Sequence, residues 1–199
     1  MKYEWTKSEK DVYLPTNKPM LLTVSKAKYF TLSGKGNPNG EEFAEKIGVL
    51  YSLAYAVRMM PRNGFTPNGY FEYTVYPLEG IWNGNALDKN SFIYTIMLKQ
   101  PNFVDTGVFL KALEITQKKK PNVLLDEVKM EEIEDGLSVQ IMHTGSYDNE
   151  PESFAKMTAF LSENGLKRRT DTHREIYLSD ARKTSPEKLK TVLRFFVNR

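Results

Sequence analysis

His173-Arg174-Glu175-Ile176-Tyr177-Leu178-Ser179-Asp180 is the stretch on which the reading of this chain turns. Side chains alternate across a strand, so Ile176 and Leu178 share one face while Glu175 and Tyr177 share the other. The apolar pair suits a helix layer. The second pair sets a carboxylate beside a phenol where no core demands them. If that face lines a pocket, Glu175 is the charge at its centre.

Outward from this strand the chain alternates strands with helices. Glu41–Met60 is the strongest helix, because Phe43, Ile47, Leu50, Ala54 and Val57 recur at alternating steps of four and three and form one apolar stripe. Asn39 is the expected cap, Glu41 and Glu42 favour the positive end of the dipole, and Pro61 stops the helix. Asp105–Lys119 reads as a second helix. Glu150–Asn164 reads as a third, with Pro151 in its first turn and Asn164-Gly165 at its exit. Strands are expected at Tyr29–Lys35, Tyr70–Tyr76 with a bent continuation to Trp82, Phe92–Leu98, Val128–Ile133, Leu137–Thr144, Arg174–Leu178 and Thr191–Val197. Asp135-Gly136 reads as the turn joining the fourth and fifth of these, and residues 83–90 as a loop.

The elements repeat. Phe30–Gly36, the helix containing Phe43 and the strands at Glu72–Val75 and Phe92–Leu98 form one β-α-β-β unit. Val139–Gly145, the helix containing Phe154 and the strands at Glu175–Leu178 and Thr191–Val197 form another. The expected fold is therefore α+β: two pseudo-symmetric β-α-β-β modules making an antiparallel sheet, with helices on one face and a ligand groove on the other. Residues 1–18, carrying Tyr3, Trp5 and Tyr13, read as an N-terminal arm; residues 19–199 read as a single domain, with modules at about 19–104 and 105–199.

Composition narrows the function classes. A net charge of +3 with scattered basic residues argues against direct nucleic-acid binding. The cysteine count of zero removes disulfides, thiolate nucleophiles and Cys-based zinc sites, and fits a reducing cytoplasm. Met1–Lys10 is polar rather than signal-like, and no apolar run approaches a membrane span. The two histidines, His143 and His173, lack a nearby ligand set, so no metal and no cofactor is expected. With 11 Tyr, 11 Phe and 2 Trp, the chain is aromatic enough for either a dense core or a greasy pocket.

Four segments, taken in order, resemble the GyrI-like small-molecule-binding family and its stand-alone bacterial branch. They are Pro77-Leu78-Glu79-Gly80-Ile81-Trp82, Gln100-Pro101-Asn102-Phe103-Val104, Met142-His143-Thr144-Gly145-Ser146-Tyr147 with Glu150-Pro151, and His173–Asp180. The resemblance implies an aromatic-lined pocket with an acidic residue. It puts Glu175 at the family's pocket glutamate, Trp82 at the aromatic after Leu-Glu-Gly, and Tyr147 at the tyrosine after the Gly-Ser turn. Asn83 stands where many stand-alone relatives carry a second Trp, which thins one wall, and Ala181 stands where Pro is common. No helix-turn-helix pattern precedes the domain.

A carboxylate among rings is desolvated, which disfavours its charged form and suits it either to activate water or to attract a cation. Trp82, Tyr147 and Tyr177 are the candidate walls for a flat ligand. Glu79 reads either as a second catalytic carboxylate or as a turn-stabilising side chain bonded to local backbone. The resemblance implies a cytoplasmic hydrolase that ring-opens cyclopropanoid DNA-alkylating toxins, with Glu175 activating water. The alternative it leaves is a non-catalytic module that binds or sequesters bulky aromatic or cationic compounds.

Overall fold

The computed structural model describes residues 2–83 and 89–199. In chain order the elements are α1 (Trp5–Ser8), α2 (Lys10–Tyr13), β1 (Met20–Val24), β2 (Ala27–Lys35), α3 (Glu41–Met59), β3 (Leu78–Asn83) and β4 (Ile93–Gln100). They continue as α4 (Thr106–Lys119), β5 (Lys129–Ile133), β6 (Gly136–Thr144), α5 (Glu150–Glu163), β7 (Lys167–Tyr177) and β8 (Lys190–Asn198). The fold is α+β, and each described strand ladder is antiparallel. Most of the loop expected at 83–90 lies outside the described residues.

The chain forms two compact units. Unit 1 comprises Met1–Glu4, Ala27–Tyr76 and Asn85–Ile133; unit 2 comprises Trp5–Lys26, Pro77–Gly84 and Glu134–Arg199. In unit 1, β2 pairs with β4 on one side and β5 on the other. The apolar stripe of α3 buries Phe43, Leu50, Ala54 and Val57, as its periodicity requires. Phe43 meets Tyr94 edge-on at 4.9 Å, and Phe109 of α4 packs on Phe30 at 5.1 Å. Gly40, not Asn39, occupies the N-cap of α3, while the Asn37 side chain takes the Asn39 amide. At α4 the Asp105 carboxylate accepts from the Val108 amide at 2.9 Å and caps the helix.

In unit 2 the strands run in the order β1-β6-β8-β7-β3. Val139 and Ile141 of β6 and Leu193, Phe195 and Val197 of β8 face α5, where Met157 and Leu161 close the core. Each such side chain contributes about 1.5–3 kcal/mol over its exposed state. The opposite face is covered by the N-terminal segment. Tyr13 is buried there, and Gln140 and Arg194 donate to the Asp11 and Val12 carbonyls at 2.6 and 3.0 Å.

The duplication is visible as the element order β1-β2-α3-β3-β4 followed, after α4, by β5-β6-α5-β7-β8. The pairing adds what the pattern did not show: β1 joins β6, and β5 joins β2, so each repeat lends its leading strand to the other repeat's second strand. β5 and β6 are therefore not a hairpin across Asp135-Gly136. Gly36 and Gly145 occupy matching exits from β2 and β6, with φ of 132° and 141° that side chains rarely adopt.

The strand expected at Glu72–Val75 is absent; Tyr73 makes one isolated parallel bridge, to Tyr3. Its backbone is satisfied otherwise: Tyr3 donates to the Glu72 carbonyl at 2.6 Å, Thr74 to the Tyr3 carbonyl at 2.9 Å, and Arg58 Nε to the Tyr73 carbonyl at 2.6 Å. The aromatic alternation that suggested a strand serves a ring cluster instead, with Phe71 and Tyr73 at 5.5 and 6.0 Å from Phe103. The strand is Leu78–Asn83, and it belongs to unit 2.

Candidate functional site

All five predicted site residues fall in unit 2, and the register of β3 on β7 sorts them by face. Gly80 lies opposite Glu175, Trp82 opposite His173 and Leu78 opposite Tyr177. Directly opposed residues of an antiparallel pair share a face. Trp82, His173, Glu175 and Tyr177 therefore stand together, and Glu79 stands on the other side with Arg174 and Ile176.

The side differs from the expected one. Glu175 is opposite Leu193 and His173 opposite Phe195 on β8, both of which pack on α5. Phe154 of α5 stacks on Phe195 and meets His173 edge-on at 4.9 Å. Glu175 and Tyr177 thus lie on the α5 face, and Ile176 is buried against the face that the N-terminal segment covers. The alternation was legible; which face takes the helix depends on β8, whose inward residues only the pairing reveals.

A chain of hydrogen bonds fixes the carboxylate. Trp82 Nε1 donates to the Tyr177 hydroxyl at 2.8 Å, and that hydroxyl donates to Glu175 Oε2 at 2.7 Å. His173 Nε2 holds Glu175 Oε1 at 2.8 Å. The two carboxylate oxygens therefore have separate partners, and Glu175 is 8% exposed. Gly80 makes the arrangement possible, since a Cβ there would stand 2.7 Å from Trp82 Nε1. Burial and the Glu175 charge raise the Tyr177 phenol well above its usual range, so it stays a donor. Tyr147, edge-on to Tyr177 at 6.1 Å, is 40% exposed and is the member of the set open to solvent. Its phenol is pushed up to about 12 by burial and by the Glu175, Glu150 and Asp180 charges.

One residue that sequence reasoning did not assign completes the group. Glu150, the first residue of α5, is 7% exposed. Its carboxyl is pushed up to about 9, first by burial and then by the charges of Glu175 and Asp148. At neutral pH it holds its proton. Its Oε1 has no hydrogen-bond partner among the described residues. In sequence, a glutamate before Pro151 reads as a dipole-favoured helix start, and only burial beside a second carboxylate changes that meaning. His173 carried a clearer signal, since it lies two residues from Glu175 on the same strand face.

Glu79 is not brought to Glu175. It is 1% exposed, accepts from Arg174 Nη1 at 2.7 Å and from the Tyr13 hydroxyl at 3.2 Å. Arg174 Nη2 and Arg194 Nη1 reach the two oxygens of Asp135 at 2.6 and 2.7 Å, and Arg194 Nε bonds Gln140 Oε1 at 3.0 Å. Burial opposes ionisation of Asp135, but the two guanidinium groups outweigh it and hold the carboxyl below its usual range. Glu79 is neither a turn brace nor a partner of Glu175; it is a member of a buried ion-pair network.

Among the described residues no group of three His, Asp or Glu side chains is placed to hold a metal ion. No helix among them is long and apolar enough to cross a membrane. A cavity of about 240 Å³, lined by Glu45, Val49, Ser52, Thr116, Asn122 and Leu125 among others, lies in unit 1 and contains none of the predicted site residues.

Known proteins bear on this geometry. Two crystal structures of Listeria innocua proteins described as hydrolases are similar over their full length. One is 38% identical, with 99% of this chain and 100% of that chain covered and a TM-score of 0.94. The other is 36% identical, with both chains covered completely and a TM-score of 0.95. The EcmrR C-terminal domain shares the fold alone, at 14% identity over 94% of this chain and 99% of that one, with a TM-score of 0.56. No curated protein matches the sequence. Residues 17–196 match the GyrI-like small molecule binding domain, and the chain belongs to that family.

Proposed function

We propose that this small-molecule-binding domain is a hydrolase that opens the three-membered ring of cyclopropanoid DNA-alkylating compounds. The observation that carries the reading is the pair of sheltered carboxyls: Glu175 anchored on both oxygens, and Glu150 raised to about 9 beside it. Glu150, whose burial keeps its proton on, suits the acid, and Glu175, held by hydrogen bonds on both oxygens, suits the base. Similarity to two proteins described as hydrolases adds support.

The steps balance as an addition of water. Glu175 takes a proton from water as its oxygen bonds to the ring CH₂, and the strained carbon–carbon bond breaks. The released electron pair is delocalised onto the carbonyl conjugated with the ring. Glu150 gives its proton to the resulting oxyanion, and the proton on Glu175 restores Glu150 by way of solvent. Ring strain supplies driving force, so the protein's task is to position water and ligand. Tyr147 offers the exposed ring against which a flat ligand stacks, and Trp82 acts by holding the Tyr177 hydroxyl on Glu175.

The test uses a duocarmycin-type cyclopropanoid, with product followed by mass spectrometry and binding by calorimetry. Wild-type protein yields the ring-opened alcohol; Glu175→Gln binds the compound but turns over on the order of 10²–10⁴-fold more slowly. The charge of Glu175 among rings favours one other reading, a module that captures bulky aromatic cations. Tight binding with the compound recovered unchanged from wild-type protein would decide for that reading.

A further inference from the structure

We infer that His143 is a positioning residue for this site. Its two ring nitrogens clamp the turn that carries Tyr147 to the first turn of the helix that carries Glu150. The inference deepens the proposed function and rests on it for its catalytic meaning.

His143 lies on β6 and is 4% exposed, so its ring belongs to the interior and not to a solvated surface. Nε2 stands 2.9 Å from the Ser146 carbonyl oxygen, and Nδ1 stands 2.9 Å from Ser153 Oγ. A carbonyl only accepts, so Nε2 carries the hydrogen. In the neutral ring Nδ1 is then an acceptor, and the Ser153 hydroxyl donates to it. One ring thereby ties two segments that sequence alone connects only through the turn between them. Ser146 immediately precedes Tyr147, and Ser153 follows Glu150 by three residues, on the same side of α5.

The turn has the backbone such a clamp needs. Gly145 has φ 141°, which sends the chain back so that the Ser146 carbonyl meets the ring. A Cβ at Gly145 would stand 3.5 Å from His143 Nε2, an ordinary contact, so it is the dihedral and not crowding that asks for glycine. The groups facing Glu150 that respond to its placement are Glu175 from β7, Asp148 from the turn, and Tyr147 and Tyr177. None of them bonds His143 in the described contacts, so His143 acts on the site through position.

The test compares wild type with His143→Ala, Ser153→Ala and the conservative His143→Asn, which keeps an acceptor near Nδ1. Amide hydrogen exchange and the ¹³C titration of the Glu150 carboxyl are read in each protein without ligand. In His143→Ala the amides of residues 146–150 exchange roughly tenfold or more faster, while those of β6 and β8 are unchanged. The Glu150 midpoint falls by roughly one unit or more in both alanine variants as its burial loosens, and His143→Asn recovers part of the loss. Folded variants with wild-type exchange and a wild-type midpoint would overturn the clamp. If His143→Ala does not fold, Ser153→Ala carries the same two readouts. A wild-type Glu150 that titrates as an ordinary carboxyl contradicts the proposed acid, and the exchange comparison still decides the clamp.

Discussion

At Gly80 the side chain that is missing decides the site. A Cβ would enter the space of the Trp82 indole, whose Nε1 must reach the Tyr177 hydroxyl for that hydroxyl to hold Glu175. Gly80→Ala is expected to swing the ring out at a cost of about 1–3 kcal/mol. Thermal unfolding gives the cost, and weaker ligand binding reports the lost bond; an unchanged melting temperature and affinity would show that the ring has room. At this scale the sequence was partly readable. The period of two put Glu175 and Tyr177 on one face, and His173 follows by the same rule. Glu150 was not readable, because its neutral state comes from burial against residues distant in sequence. Glu79 lies away from Glu175 for a related reason: in a strand, Glu79 and Trp82 alternate to opposite faces, whereas a bend would have left them together.

The elements of unit 2 are joined from behind by ions. Arg174 on β7 and Arg194 on β8 share Asp135, Glu79 on β3 takes a second bond from Arg174, and the α2 carbonyl of Val12 takes Arg194. Breaking a buried pair by removing one partner leaves uncompensated charge. Asp135→Asn is therefore expected to destabilise the protein by about 3–5 kcal/mol in urea unfolding; a loss under about 1 kcal/mol would mean that the charges are solvated like a surface pair. Helices were legible because α3, α4 and α5 carry stripes at helical spacing, with acidic residues opening α3, the Asp105 cap on α4 and Pro151 in the first turn of α5. Strands were harder. Tyr70–Tyr76 satisfied the strand pattern while its rings served a cluster, and β5 with β6 resembled a hairpin while each found a partner elsewhere.

For the whole molecule, the raised Glu150 makes stability depend on pH. Its carboxyl moves from an ordinary 4.5 to about 9 on folding, so the folded state binds the proton more tightly. The stabilisation is fully present below about 4.5 and is lost as pH rises toward about 9. Melting temperature is expected to fall across that window, and Glu150→Gln, which needs no proton, is expected to flatten the fall. Parallel curves for the two proteins would show that Glu150 does not titrate as described. The duplicated order of elements was legible in the chain, helped by glycines at matching exits. The exchange of leading strands between repeats was not, because pairing partners leave no mark on local pattern.

The most direct measurement is a crystal structure of Glu175→Gln soaked with a cyclopropanoid. The expected density places the intact compound against the exposed ring of Tyr147, with its cyclopropane facing residue 175 and its carbonyl within hydrogen-bonding distance of Glu150. Density only in the unit 1 cavity beside Thr116 and Asn122, with the Glu150 region unchanged, would contradict it.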